Sequence, residues 1–162
     1  MSTGAGHAAD RTEALAERVR AAVANGTALA PSGGGSKAFY GEPVEAERLE
    51  LGPHRGVIHY EPTELVLTAR AGTPLEEIET LLAEHGQMLA AEPPHFAGGA
   101  TLGGAVAAGL SGPRRPWAGP LRDHVLGVRL LDAQGNVGRF GGEVMKNVAG
   151  YDVPRLMTGS LG

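Results

Sequence analysis

The chain alternates between apolar residues at helical spacing and short continuous apolar runs. In residues 12–24 an apolar residue recurs every third or fourth position, and Gly26 follows, so we expect an amphipathic surface helix that ends near Asn25. Its apolar positions are Leu15, Val19, Ala22 and Val23. Four short runs bounded by turn residues come next, and they fit strands better than helices. These strands are expected at residues 28–30, 48–51, 57–60 and 65–70.

The clearest helical pattern covers residues 74–85. Thr73 is placed to cap this helix, Pro74 occupies the first helical position, and Glu76 completes a capping box. Gly86 provides the stop. The residues on the expected inner face are Leu75, Ile78, Leu81 and Leu82. The pattern therefore predicts a helix with one side buried.

Two apolar runs near the C-terminal end, residues 125–131 and 137–140, flank a polar segment from Asp132 to Asn136. This arrangement predicts a β-hairpin with a five-residue loop. A short helix is expected at residues 102–108. No repeat or low-complexity tail interrupts the pattern. The fold class expected from these elements is α+β, with helices packed on mixed β-sheets.

Composition places the chain among soluble proteins that form one domain. It has 162 residues, 42% of them apolar, but glycine contributes 26, more than twice the usual share of roughly 7%. No apolar run reaches the length of a membrane span, and the N-terminus lacks the pattern of a secretory signal. We therefore expect a cytoplasmic protein without direct membrane insertion, with residues 1–10 disordered.

Several classes of function have little support. The net charge of −4 and the lack of a basic face argue against nucleic-acid binding. The chain has no cysteine, and its six histidines show no metal-binding spacing, so no metal site is expected. Ser111 and Ser160 lack the second glycine of a hydrolase elbow. No catalytic residue can be assigned from the sequence.

Two glycine-rich segments are the most informative feature. One runs from Pro31 to Lys37 after a short apolar run, and the other runs from Ala97 to Gly112. Successive amides in such segments can form a nest for a phosphate, and glycine lets the backbone approach it closely. Neither segment matches the Walker or the Rossmann spacing. The residues alone leave two alternatives open: another phosphate-binding fold, or ordinary loops.

Three blocks in order carry a specific resemblance. They are Ser-Gly-Gly-Gly-Ser-Lys at residues 32–37, Gly-Gly-Ala-Thr-Leu-Gly-Gly through Pro-Arg-Arg-Pro-Trp at residues 98–117, and Lys-Asn-Val-Ala-Gly-Tyr-Asp at residues 146–152. With them, residues 28–162 resemble the FAD-binding domain of the vanillyl-alcohol oxidase/p-cresol methylhydroxylase (PCMH) class. Within that class the chain most resembles FAD-binding (E) subunits of bacterial glycolate oxidases.

The resemblance implies a PCMH-type FAD-binding domain over residues 1–162, in which both glycine segments wrap the FAD pyrophosphate. The cofactor-binding residues that it implies are Pro31, Ser32, Gly33, Gly34, Gly35, Ser36, Lys37, Gly98, Gly99, Thr101, Gly103, Gly104, Ala107, Gly109, Ser111, Lys146, Asn147, Gly150, Tyr151, Asp152, Gly159 and Gly162. In related proteins a histidine in the first segment or a cysteine near the second often links the flavin covalently. Here the first segment has no histidine and the chain has no cysteine. FAD is therefore expected to bind non-covalently.

The implied function is oxidation of a small 2-hydroxy acid, glycolate to glyoxylate, with electrons passed through the flavin. The implied partners are a homologous FAD-binding glycolate oxidase subunit and an iron–sulfur subunit, through which the chain would associate with the inner membrane. The alternatives are a non-catalytic FAD-carrying or structural subunit, and an inert fragment. Family members continue past Gly-Ser-Leu-Gly into further strands and a cap domain, so the sequence suggests a truncated or split domain, incomplete at the C-terminus.

Some assignments keep a structural alternative. Gly33 to Gly35 could form an ordinary surface turn, and Thr101 could either cap the helix at residues 102–108 or donate to a phosphate. Lys146, Asn147 and Tyr151 could be solvated or core-edge residues. The pair Arg114-Arg115 beside Trp117 fits a solvated turn and a protein contact equally well.

Overall fold

The computed structural model describes residues 10–142 and 150–162. The described helices are α1 (Thr12–Asn25), α2 (Leu75–Ala83), α3 (Leu102–Ala108), α4 (Arg115–Ala118) and α5 (Val153–Met157), with a 3₁₀ turn at Leu121–His124. The described strands are β1 (Leu29–Ser32), β2 (Glu47–Glu50), β3 (Val57–Glu61), β4 (Val66–Ala69), β5 (Gly127–Leu131) and β6 (Val137–Gly141). The mixed α+β class is confirmed. Residues 1–10 were expected to be disordered, and residues 1–9 lie outside the described part of the chain.

The first helix has the predicted extent. It ends at Asn25, and Gly26 adopts the left-handed conformation that closes the last turn. Ala16, Val19 and Ala22 are buried. Val23, which was expected on the apolar face, is exposed, because the buried stripe is narrower than the apolar pattern suggests.

The second helix is confirmed, but its predicted cap is wrong. Pro74 is the N-cap residue, and no side chain caps the helix. The Thr73 hydroxyl instead donates to the carbonyl of Arg70 at 2.7 Å and accepts from the amide of Gly56 at 2.9 Å. Thr73 is fully buried, so its hydroxyl satisfies the turn before the helix and is unavailable to the helix amides. Glu76 therefore completes no capping box.

The described strands form three two-stranded sheets. The pair β1–β2 is parallel, whereas β3–β4 and β5–β6 are antiparallel. The predicted hairpin is confirmed, with Leu131 opposite Val137 across the five-residue loop. A parallel pair needs a long connection, which is commonly a helix. Here the connection between β1 and β2 carries the first glycine segment and no helix.

A small core lies behind the second glycine segment. Leu75 of α2 packs with Ala91, Ala100, Ala105 and Leu121. Because three of these residues are alanines, the backbone of α3 and of the segment before it can approach α2 closely. The core therefore holds the second glycine segment against α2. No helix within the described residues is long and apolar enough to cross a membrane.

Candidate functional site

The two glycine segments lie in direct contact. A Cβ atom added to Gly34 would overlap the carbonyl oxygen of Gly99, and one added to Gly33 would overlap the hydroxyl oxygen of Thr101. Neither Gly33 nor Gly34 has a positive φ. A side chain at Gly34 would meet the backbone of Gly99, and one at Gly33 would meet the side chain of Thr101, so there is no room for a Cβ at either position.

Backbone amides in part of each segment have no acceptor among the described residues. None of the backbone amides from Gly33 to Lys37, and none from Gly98 to Thr101, donates a hydrogen bond to any residue in the ranges 10–142 and 150–162. We call these two sets the first and second amide runs. The first run, and Gly98 and Gly99 of the second, are exposed or half-buried, so their N–H groups are available to an anionic ligand, whereas Ala100 and Thr101 are buried. The geometry thus fits a diphosphate.

The C-terminal segment lies against the same region. The amides of Gly159 and Leu161 donate to the carbonyl oxygens of Val106 and Ala107 in α3, each at 2.9 Å. A Cβ added to Gly109 would lie 2.8 Å from the Cα atom of Gly159. These contacts place the predicted residues Ala107, Gly109 and Gly159 together. Gly162 continues from this segment to Pro31, at the start of the first segment.

Helix α3 starts where the second amide run ends. Thr101 is its N-cap residue, and the Thr101 hydroxyl oxygen accepts from the amide of Gly104 at 3.3 Å. Of the two roles considered for this residue, the cap is confirmed, and donation to a phosphate stays a prediction. Gly103 lies against the backbone of Ala71, because a Cβ there would stand 2.9 Å from the Ala71 carbonyl oxygen.

The predicted serines have protein partners. The hydroxyl oxygen of Ser32 accepts from the Arg48 guanidinium at 2.8 Å, and that of Ser36 accepts from the Lys37 ammonium at 3.5 Å. The hydroxyl oxygen of Ser111 accepts from the amide of Leu121 at 2.9 Å, at the start of the 3₁₀ turn. Ser111 therefore fixes the chain after α3.

An aromatic contact beside the amide runs was missed by sequence reasoning. The ring of Phe39, after the first run, meets the ring of Phe96, before the second, edge to face with centroids 5.0 Å apart. The Lys37 ammonium lies 5.7 Å from the Phe96 centroid, and burial lowers the pKa of Lys37. With only three phenylalanines in 162 residues, the placement of two beside the glycine segments was the available signal.

The third predicted block is described only in part. Lys146 and Asn147 lie outside the described residues. The Tyr151 side chain is 94% exposed, and Asp152 accepts from the amide of Arg155 at the start of α5. Gly150 is exposed as well. The described part of this block makes no side-chain hydrogen bond to either amide run.

No acid–base group is hydrogen-bonded to the amide runs in the described part of the chain. The imidazole or carboxylate nearest to the runs along the sequence is His95, which pairs with Glu79 at 3.0 Å. No group of three or more His, Asp or Glu side chains within the described residues is arranged to hold a metal ion. The free N–H groups suit a phosphate-bearing ligand, and among the described residues no imidazole or carboxylate is hydrogen-bonded to them.

Comparison with known proteins also indicates a domain that binds a diphosphate-containing cofactor. The family model of an FAD binding domain matches residues 7–141. The chain is 56% identical over 153 residues to glycolate oxidase subunit GlcE of Escherichia coli strain K12, which covers 94% of this chain and 44% of that protein. It is 33% identical to the D-2-hydroxyglutarate dehydrogenase of Xanthomonas citri pv. viticola, over 89% of this chain and 31% of that protein. The chain thus spans less than half the length of these relatives.

Solved structures share the fold. An alkyldihydroxyacetonephosphate synthase superposes with a TM-score of 0.71 at 25% identity, over 93% of this chain and 29% of that one. The 6-hydroxy-D-nicotine oxidase of Arthrobacter nicotinovorans superposes with a TM-score of 0.65 at 20% identity, over 80% of this chain and 28% of that one. The second likeness concerns the fold alone.

Proposed function

The chain belongs to the FAD-binding domain family, with a PCMH-type fold and FAD as its cofactor, and from that premise we propose that it is the FAD-binding part of a glycolate oxidase-type 2-hydroxy-acid dehydrogenase. One observation carries the proposal: two amide runs that have no acceptor in the described part of the chain lie in contact with each other. Identity of 56% to a glycolate oxidase subunit supports glycolate as the substrate of the whole protein.

The two amide runs would hold the FAD pyrophosphate. Two phosphates lying along both runs would accept from N–H groups of each, and the oriented amide dipoles would offset the phosphate charge. Lys37 lies at the edge of the first run, where its ammonium adds a single positive charge. The chain has no cysteine and no histidine in the first segment, so the cofactor is held without a covalent bond.

The contribution of this chain to oxidation would be binding and orientation. FAD, when bound, supplies a flavin ring that accepts a hydride from the substrate. The described residues would hold the phosphates and fix the cofactor. A homologous flavoprotein subunit and an iron–sulfur subunit would take the electrons onward, in a complex located in the cytoplasm or peripherally on the inner membrane.

A second reading is a non-catalytic subunit that carries FAD while a homologous partner oxidises the substrate. The observation that favours it is the lack of an acid–base group hydrogen-bonded to the amide runs within the described residues. Gly34→Ala in this subunit of the assembled complex separates the two readings. Because this substitution is also expected to destabilise the subunit, activity is compared only in complexes that stay assembled on gel filtration. In these, loss of glycolate-dependent dye reduction supports the catalytic reading, and full activity supports the carrier.

The cofactor is tested by releasing it from the purified protein with acid and identifying it by chromatography. We expect free FAD, because both amide runs are used by a diphosphate and FMN would leave one idle. Recovery of FMN alone would contradict the proposed site. Flavin that stays attached to the denatured protein would contradict non-covalent binding.

A further inference from the structure

The two glycine segments are joined by side chains as well as by close backbone contact. Phe39 lies two residues after the first amide run, and Phe96 lies two residues before the second. Their rings meet edge to face, with centroids 5.0 Å apart and planes at 85°. This is a favoured geometry for an aromatic pair. Lys37 adds a contact to Phe96 from within the first run.

Neither ring belongs to the hydrophobic core. Phe39 is 66% exposed and Phe96 is 54% exposed, so their burial contributes little to folding. Phe96 also has a φ of +58°, a conformation that is uncommon for a residue with a side chain. Such strain persists when the surrounding structure holds it, and it is often associated with a binding site.

The backbone is anchored on both sides of Phe96. On one side the neighbouring His95 pairs with Glu79 of α2 at 3.0 Å. On the other side Gly99 packs against Gly34. These anchors direct the Phe96 ring toward the chain that follows the first amide run. The Phe39–Phe96 ring contact and the Gly34–Gly99 approach therefore join the same two segments at two separate places.

We propose that the Phe39–Phe96 contact is a clasp that holds the two amide runs in register for the cofactor. The two phenylalanines are thus positioning residues for FAD, acting through the amides that they align. This inference rests on the proposed function, since the amide runs are taken as the FAD pyrophosphate site. The clasp itself is a property of the protein without cofactor, and it can be tested separately.

The binding test compares Phe96→Gly with Leu65→Gly in the purified protein. Leu65 is a matched control, because it is also exposed and has a φ of +57°, but it lies in the turn between β3 and β4. Glycine relieves the same backbone strain at both positions. We expect Phe96→Gly to weaken FAD binding by about three- to tenfold, the range that an aromatic pair supplies, and Leu65→Gly to leave it unchanged.

Two further variants separate a clasp from a general packing role. Phe96→Tyr keeps the ring and should retain the wild-type FAD affinity. Phe39→Ala removes the ring contact but keeps the contact between Lys37 and Phe96, so it should weaken binding by no more than Phe96→Gly does. The double variant should bind no more weakly than Phe96→Gly alone, because the ring contact is already lost there. Unchanged affinity of Phe96→Gly, or additive losses in the double variant, would overturn the proposal.

A cofactor-free measurement keeps the two proposals distinguishable. The chain has no cysteine, so nitroxide labels at Ala38→Cys and Ala97→Cys, both exposed, attach only there. Dipolar broadening of the EPR spectrum reports the separation of the two segments. We expect Phe96→Gly to widen the distance distribution and Leu65→Gly to leave it unchanged. An unchanged distribution with Phe96→Gly overturns the clasp, whereas wild-type protein that binds no FAD contradicts the proposed function alone.

Discussion

At the scale of single residues, glycines at the site serve two different purposes. Gly34 and Gly103 are small because another backbone lies against them, at Gly99 and Ala71. Gly109 combines close contact with a positive φ, which ends α3. A ligand is therefore only one of the reasons for the high glycine content. The contact between Gly34 and Gly99 is the one that shapes the candidate phosphate site.

Gly34→Ala should lower both stability and FAD affinity, because the new Cβ would overlap the Gly99 carbonyl oxygen and force the two segments apart. We expect the free energy of unfolding to fall by about 1–3 kcal/mol, as in other overpacked sites. The affinity for FAD should fall about tenfold or more. Urea unfolding and FAD titration measure the two effects. Lys37→Ala should weaken binding far less, since the proposed site would hold the phosphates mainly through backbone amides.

Gly52→Ala is the control for this variant, since a Cβ at Gly52 meets nothing within 4 Å. It should leave both quantities close to their wild-type values. A Gly34→Ala protein that binds FAD normally, or a Lys37→Ala protein that binds worse than Gly34→Ala, would contradict the amide-run site.

At the scale of elements, helix starts tie the site to the rest of the chain. Thr101 ends the second amide run and begins α3, so one residue sets the position of both. Thr101 is also buried, at 5% exposure. The start of α1 is held differently, by the Asp10 carboxylate, which accepts from the amide and the hydroxyl of Thr12.

Thr101→Ala removes the hydrogen bond to the Gly104 amide and should destabilise the protein by about 1 kcal/mol. Thr101→Ser keeps the hydroxyl and is the matched variant. It should retain more of the stability than alanine does, with the difference read from urea unfolding curves. If serine and alanine destabilise the protein equally, the lost methyl group and not the cap accounts for the effect.

Asp10 should make the start of α1 sensitive to acid. Hydrogen bonds from Thr12 are the largest cause that lowers the pKa of Asp10, from 3.8 to about 2, with a further contribution from Arg70. Because the folded pKa is depressed, the carboxylate stabilises the fold above pH 3.8. This stabilisation is lost as the pH falls from 3.8 toward about 2.

The measurement compares the unfolding free energies of wild type and Asp10→Ala across this pH range. The difference in unfolding free energy between the two proteins should be constant above about pH 5, which is roughly one unit above the unfolded pKa. It should become smaller in stronger acid. A gap that stays constant down to pH 2 would show that Asp10 acts without its charge.

At the scale of the whole molecule, the site gathers segments that are far apart in sequence. The first segment connects two parallel strands, the second rests on α2, and the C-terminal segment lies along α3. A ligand that contacts these segments together binds the folded chain and not the unfolded one. Its binding free energy therefore adds to the stability of the fold.

FAD should raise the melting temperature more than FMN or NAD does. At a hundredfold excess over Kd a ligand adds about 2.7 kcal/mol, which corresponds to about 5–10 °C for a chain of this size. FMN has one phosphate and NAD has no flavin, so each should give a smaller shift at the same concentration. Differential scanning fluorimetry or calorimetry provides the measurement. An equal shift with FMN would argue against use of both amide runs.

The sequence by itself determined the elements whose signals are local. Helix α1 with its glycine stop and the β5–β6 hairpin with its five-residue loop each depend on residues within a few positions of one another, whereas the sequence left two roles open for Thr101. The order of the glycine-rich blocks was also sufficient to indicate the family, because each block is a continuous stretch of residues.

Only the tertiary structure decided which residues meet across the chain. The role of Thr73 changed because the turn at Gly56 reached its hydroxyl, and no local pattern records that contact. The Gly34–Gly99 approach and the Phe39–Phe96 pair likewise join residues more than fifty positions apart. Such contacts depend on how elements pack, since packing and not spacing brings distant backbones within van der Waals distance.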